Sequence, residues 1–466
     1  MASVILDTSV LADVKTYVRE RAMARDRALA CYVMTFGCQQ NVADSEKLMG
    51  LAREMGYELT DRAEEADLIL VNTCAIREHA ENKALSTVGQ YKRLKERNPD
   101  LVIGVCGCMV VQEHRRNQLK HSYPYVDFVL GTSVLHRLPE TLLRIFREHK
   151  RRFDATEECV IAEGVPIVRD STYRAYVTIM YGCNNFCSYC IVPYVRGRER
   201  SREPAEVIAE VRELVAQGYK DITLLGQNVN SYGKDREDGY RFPQLMRDLD
   251  AIEGEFLLRF MTSHPKDASR ELIDVMANGK HIARHFHLPL QSGSDDVLRR
   301  MNRRYDREKY LQTLDYMRER MPDVTVTSDI IVGFPGESDE DFEGTISMLE
   351  RVRFDMLYSF IYSPRKGTPA VSMENPVPRA TQNARFDRLL AVQEKIATEK
   401  NEPLVGTTVR VLCDGKSKTD EQMLSGRTTG NKIVFFPDDG TPEGVFVNVK
   451  IDRAAPFALY GEHTQN

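Results

Sequence analysis

The chain has 466 residues, with 64 Lys and Arg against 69 Asp and Glu, for a formal net charge of −5. That balance excludes a basic coat over the whole surface, although a local stripe of arginines can still meet phosphate. The length suggests about three domains, and no stretch approaches the roughly 18 apolar residues of a membrane span. Residues 1–28 form a polar, helix-capable extension without the apolar run of a signal peptide. CYVMTF (31–36), ADLILVN (66–72) and LVIGVCG (101–107) are predicted strands, with helical stretches near 44–54 and 77–96, which gives a small parallel α/β domain over 29–150. The charged stretch 139–170 is predicted to connect two domains.

From Ala175 a longer alternation begins. AYVTIM (175–180), DITLLG (221–226), FLLRFMTS (256–263), HFHLPL (285–290), VTVTSDIIVG (324–333) and DMLYSFIY (355–362) are predicted strands. Pro204 opens one intervening helix, and Ser338 with Asp341 forms a capping box at another. Six strand–helix units over 168–400 predict an open (β/α)6 barrel, since eight units need more chain. In 403–466, short apolar runs separated by Gly, Asp and Asn turns predict a small antiparallel barrel.

The ten cysteines carry the chemistry. In a cytoplasmic, reducing setting, grouped cysteines are metal ligands or reactive thiols rather than disulfides. Cys183, Cys187 and Cys190 follow the first barrel strand with C-x3-C-x2-C spacing. Three thiolates on one loop can hold three irons of a [4Fe–4S] cluster and leave the fourth iron open to a ligand. A zinc site would want a fourth ligand, and no Cys or His near the loop supplies one. Cys38, Cys74 and Cys108 each fall just after a predicted parallel strand, the end at which such sheets gather ligands. Scattered cysteines are also ordinary core residues, so spacing alone leaves both readings open.

The C-x3-C-x2-C loop resembles the signature of radical S-adenosylmethionine (SAM) enzymes. TFGCQQN (35–41), NTCAIRE (72–78) and GCM (107–109) resemble the N-terminal domain of the methylthiotransferase family. One departure is Gln40, where that family usually has Met. The resemblance implies two [4Fe–4S] clusters, one on Cys183, Cys187 and Cys190 that binds SAM, and an auxiliary one on Cys38, Cys74 and Cys108 that carries sulfur. Cys31, Cys106, Cys159 and Cys413 are left as ordinary cysteines. The SAM contacts it implies are Gln227 and Asn228, where many relatives carry Gly-Gly-Glu, then Gln291 and Ser292, and Gly333 and Gly336 along the adenine.

Residues 403–466 resemble the TRAM domain, an RNA-binding barrel, although they hold seven Lys and Arg against eight Asp and Glu. Expected RNA contacts are Arg410, Lys416, Lys418, Arg427 and Lys432, together with Arg196, Arg198, Arg200 and Arg202 after the cysteine loop. NNFCSYCIVPYVRGRERSR (184–202) and LLGQNVNSYG (224–233) are most similar to the branch that methylthiolates isopentenyladenosine in tRNA. Other branches act on threonylcarbamoyladenosine or on a ribosomal-protein aspartate. A non-catalytic iron–sulfur protein that binds RNA or senses redox state is the alternative of another class. The resemblance also implies a tRNA anticodon loop as partner, a low-potential electron donor and a sulfur donor, with a monomeric chain and no membrane contact.

Overall fold

The computed structural model describes residues 3–4, 7–76, 78–153 and 160–464. Cys159 and Arg77 lie outside them. The chain forms two compact units, one made of 1–170, 181–184 and 190–202, the other of 171–180, 185–189 and 203–466.

The first unit is built on five parallel strands: β1 (Ala30–Thr35), β2 (Glu58–Thr60), β3 (Leu68–Thr73), β4 (Val102–Gly107) and β5 (Phe128–Leu130), in the spatial order β2-β1-β3-β4-β5. Every residue of β3 and β4 is buried, which explains their unbroken apolar runs, since a central parallel strand has both faces covered. Helix α1 (Thr8–Ala24) starts at Asp7, whose carboxylate accepts from the amides of Ser9 and Val10. Helix α2 (Gln39–Glu54) follows β1. The charged region after 138 is not a linker throughout. Leu138–Glu148 forms helix α3 and buries Leu138, Leu142, Ile145 and Phe146. Those residues recur at the spacing of one helical face, and Phe146 stacks on Tyr17 of α1 with ring centroids 4.2 Å apart.

The open barrel of the second unit is built on six strands in chain order. β6 (Arg174–Thr178), β7 (Asp221–Leu225) and β8 (Leu257–Phe260) form one parallel sheet. β9 (His285–His287), β10 (Thr325–Val332) and β11 (Met356–Ile361) form another. A single bridge, Leu258 to Ile282, links the two series, and among the described residues β6 and β11 do not pair. The barrel is therefore open, as the repeat count predicted. Its core holds Ile222, Leu224, Phe286, Ile330 and Leu349. The Ser338–Asp341 capping box is present at the start of helix α4 (Asp339–Val352). Helix α5 (Arg379–Asn401) packs on β11 and contributes Leu389 and Ile396 to the core.

The last five strands close into a small barrel: β12 (Thr408–Lys416), β13 (Met423–Thr428), β14 (Ile433–Pro437), β15 (Phe446–Ala455) and β16 (Ala458–His463), in the order β12-β13-β14-β16-β15. All pairings are antiparallel except β14 with β16. Polar contacts seat it on the open barrel. Arg259 donates to the carbonyls of Thr428 and Thr429, both at 3.1 Å. Asp355 meets Lys432 at 2.9 Å and Lys400 at 2.6 Å. Burial alone would raise the Asp355 pKa, but the two ammonium groups outweigh it and hold the pKa below the ordinary value. A depressed carboxylate stabilises the fold above its unfolded pKa of about 3.9 and loses that contribution as pH falls through the lower folded value. Urea unfolding of the full chain should therefore show an acid-side loss of stability at low pH. Asp355→Asn should flatten that loss while lowering stability at pH 7.

Candidate functional site

In the first unit the three strand ends deliver Cys38, Cys74 and Cys108 from chain segments far apart. Cys38 caps the start of α2 without a side-chain capping bond. Cys74 follows β3 directly, and Cys108 follows β4 across Gly107. The polar residues of the three motifs fasten these turns together. Asn41 Nδ2 donates to the Thr73 carbonyl at 3.0 Å, Asn72 Nδ2 donates to the Asn41 carbonyl at 2.8 Å, and Thr73 Oγ1 donates to the Cys106 carbonyl at 2.5 Å. Two glycines are required by close approach. Gly37 has φ +126°, and a Cβ there would lie 2.6 Å from Cys74 Cβ. Gly107 has φ +98°, and a Cβ would collide with Asn72 Oδ1 and the Thr73 carbonyl.

Burial pushes the Cys108 thiol up to about 12, with Arg196 opposing and Cys74 and Cys38 adding to the rise. The three thiols thus share one electrostatic neighbourhood with a buried guanidinium. Arg196 Nη2 holds Asp44 Oδ2 at 2.8 Å, with both side chains at most 4% exposed. Ile191 and Val195, just past Cys190, pack on Cys108 and Ala75. Cys106 points elsewhere. It joins Cys31 in the apolar core of the sheet, and burial lifts its thiol to about 12 as well.

This placement corrects part of the expected RNA surface. Arg196, Arg200 and Arg202 are buried, at 6%, 6% and 8% exposure. Arg196 pairs with Asp44, Arg202 pairs with Glu163 at 2.7 Å, and Arg200 Nη2 donates to the Arg196 carbonyl at 3.2 Å. Guanidinium groups enclosed in this way stabilise the fold and do not reach solvent phosphate. Arg198 alone of the four is exposed. In the small barrel Lys432 is likewise committed to Asp355 and Asn401. Arg410 meets Glu255 at 2.5 Å, and Arg427 meets Asp414 at 3.2 Å. Lys416 and Lys418 are exposed, Lys416 lying 3.5 Å from Asp438.

In the second unit, residues 185–189 of the cysteine loop are clamped by the turn after the short helix Asp295–Arg300. Ser188 donates its amide to the Met301 carbonyl at 3.0 Å and its hydroxyl to the Arg300 carbonyl at 2.8 Å. Asn302 Nδ2 donates to the Phe186 carbonyl at 2.9 Å. Arg303 reaches under the loop, with Nη1 3.3 Å from Cys187 Sγ. None of Met301, Asn302 and Arg303 stands out in the sequence, because no spacing links them to the cysteines.

The expected SAM residues lie at the carboxyl ends of the barrel strands. Gln227 is half-buried. Asn228 is 1% exposed, and its Nδ2 donates to Asp267 at 2.7 Å while its Oδ1 has no partner. Two residues missed by sequence reasoning join it: both amide atoms of Asn230 and the hydroxyl of Ser263 are buried and unpartnered. Buried polar atoms are normally satisfied, so this set suits a polar ligand rich in donors and acceptors. Gln291 takes a left-handed φ of +70°, and its carbonyl accepts from the Ile331 amide at 2.9 Å. Ser292 Oγ accepts from the Ser294 amide at 3.2 Å. The neighbours of the two glycines are protein. A Cβ at Gly333 would lie 2.5 Å from Gln382 Cγ, and the Gly336 amide donates to the Asn375 carbonyl at 2.7 Å.

Among the described residues no three His, Cys, Asp or Glu side chains converge on a single ion. A cluster asks for something else, thiolates spread over several irons with nearby positive charge. The donor chemistry fits that demand, with sulfur ligands and a buried arginine at each cysteine group.

The fold and its cysteine loop define the class. The model described as Radical SAM superfamily matches residues 177–349, that of Uncharacterized protein family UPF0004 matches 30–131, and that of the TRAM domain matches 403–464. The chain is similar in fold to the radical SAM methyltransferase TsrM from Kitasatospora setae. Its TM-score is 0.53 at 14% identity, covering 73% of this chain and 74% of that one. Full-length relatives take the assignment further. The chain is 50% identical over 432 residues, 92% of each protein, to the tRNA-2-methylthio-N(6)-dimethylallyladenosine synthase of Caldicellulosiruptor saccharolyticus. It is 49% identical over 438 residues to the synthase of the same description from Clostridium perfringens, covering 94% of this chain and 98% of that one. The chain belongs to this family of radical SAM tRNA methylthiotransferases.

Proposed function

We propose that the chain adds a methylthio group to C2 of N6-isopentenyladenosine beside the anticodon of tRNA. The observation that carries this reading is a pair of cysteine groups, each with its own buried arginine, in a chain about half identical to synthases over more than nine-tenths of its length. In this reading Cys183, Cys187 and Cys190 hold the cluster that binds SAM, and Cys38, Cys74 and Cys108 hold the auxiliary one. Bound at these sites, the two [4Fe–4S] clusters and SAM supply the radical chemistry and the sulfur, and the protein positions them and excludes side reactions.

The chain's own residues divide the remaining work. Asn41, Asn72 and Thr73 fix the three turns that bear the auxiliary ligands. Asn228 and Asn230 present unpartnered amide oxygens able to accept hydrogen bonds from the methionine ammonium of SAM. Gln227, Gln291 and Ser292 line the same strand ends. The exposed Arg198, Lys416 and Lys418 are the RNA contacts this reading retains. An anticodon-loop base suits such a site because it is already partly unstacked. Among the described residues no helix is long and apolar enough to cross a membrane. A cytoplasmic monomer served by a low-potential electron donor and a sulfur donor completes the proposal.

Nucleoside mass spectrometry of tRNA tests it. Expressing the chain in a strain that lacks its own synthase should convert isopentenyladenosine to the 2-methylthio form. An unchanged isopentenyladenosine peak, or new methylthio product on threonylcarbamoyladenosine, would overturn it.

A further inference from the structure

Among the described residues, Arg303 is a buried cation of the second unit with no carboxylate in ion-pair contact. It is 9% exposed. Each of its three nitrogens donates one bond: Nη1 to Cys187 Sγ at 3.3 Å, Nη2 to the Pro289 carbonyl at 3.1 Å and Nε to the Tyr305 hydroxyl at 3.0 Å. Tyr305 is itself braced, its hydroxyl 2.8 Å from the Leu290 carbonyl. Among the described residues no carboxylate forms an ion pair with the guanidinium, whose hydrogen bonds end on sulfur, a carbonyl and a phenol. Besides Cys187, its titratable neighbours are the phenols Tyr305 and Tyr189, and burial lifts the Tyr305 hydroxyl to about 12. His264, packed edge-on against Tyr305, is held neutral by burial and by the surrounding cations.

A buried charge without an ion partner is costly unless something negative arrives. The atom it touches is a proposed cluster ligand. Arg196 in the first unit makes the contrast, because there Asp44 already cancels the charge.

We propose that Arg303 sets the reduction potential of the SAM-binding cluster, by placing an uncancelled positive charge and an N–H···S bond on the Cys187 sulfur. The inference rests on the reading that the Cys183–Cys190 loop holds that cluster. One electron, delivered by a low-potential one-electron donor, takes the cluster from the 2+ to the 1+ state, and no proton moves. The added negative charge is stabilised by the guanidinium, so Arg303 makes reduction easier. Arg303 is a positioning and tuning residue, since it acts through a ligand.

The test is a redox titration of the reconstituted full chain with dithionite and mediator dyes, followed by electron paramagnetic resonance. The SAM-binding cluster is identified as the one whose signal changes when SAM is added. Arg303→Met should keep both clusters and the SAM-induced change. At the wild-type midpoint its reduced-to-oxidised ratio should fall about tenfold, which is about 59 mV for a one-electron couple. Arg303→Lys should recover most of the shift, and the auxiliary cluster should titrate unchanged in both variants. An unshifted SAM-responsive midpoint in a fully iron-loaded Arg303→Met protein would overturn the proposal. So would equal shifts in both clusters, or loss of iron from both variants, since either marks Arg303 as scaffold. A wild-type chain with no SAM-responsive signal would instead overturn the site reading beneath it.

Discussion

Replacing Cys187 with alanine should end the release of 5′-deoxyadenosine from SAM under strong reductant and lower bound iron from about eight to about four atoms per chain. The loop should survive the change. Its turn is held by backbone and neighbouring side chains, through Ser188 to Met301 and Arg300 and through Asn302 to Phe186, and none of these contacts uses the sulfur. What alanine removes is the proposed ligand and the partner of the Arg303 Nη1 donor. An orphaned buried donor costs about 1–3 kcal/mol, and more when it is charged, against a typical domain stability of about 5–15 kcal/mol. Circular dichroism melting should therefore show a modestly weakened but folded chain. Sustained 5′-deoxyadenosine formation in the alanine variant would sink the assignment of this loop.

The second large effect separates two cysteines two residues apart. Cys108→Ala should cost one cluster, about four irons, and abolish methylthio transfer while 5′-deoxyadenosine formation continues. Cys106→Ala should leave both clusters in place. The reason lies in the pleat of β4 and the turn that ends it. Cys106 is inside the strand and faces the core with Cys31 and Leu70. Cys108 has passed Gly107, whose left-handed backbone turns the chain toward Asn72 and Thr73. Iron analysis and product nucleosides on the same preparations read both outcomes. Loss of a cluster from the Cys106 variant would show that the ligand of the Cys106-Gly-Cys108 pair was misassigned.

Much of this architecture is legible in the chain itself. Strand-length apolar runs mark β1, β3 and β4 and all six strands of the open barrel, and the six cysteines proposed as ligands follow such strands. Three-residue strands such as β2 and β5 carry too little pattern to be seen, and they owe their place to the strands beside them. Helix α3 was hidden because arginines and glutamates crowd its outer face, although its buried residues keep helical spacing. The arginine run 196–202 misled for a different reason. A run of like charge reads as solvated surface, whereas here the cancelling groups, Asp44 and Glu163, come from 152 and 39 residues away. Arg303 lies 116 residues from the sulfur it touches. Local pattern reveals elements, and long-range pairing decides which charges are surface.

The seating of the small C-terminal barrel bears on how the molecule can be cut. Asp355 belongs to the open barrel, yet one of its two lysines is supplied by the small one, and both Nη groups of Arg259 end on carbonyls at the end of β13, those of Thr428 and Thr429. Ending the chain near residue 402 would leave a buried carboxylate short of a cation and a buried guanidinium facing water. A shortened chain that loses activity would then report a damaged catalytic scaffold as readily as lost RNA capture. Point changes at Lys416 and Lys418, which are exposed and make no ion pair with the open barrel among the described residues, are the cleaner way to divide the two roles.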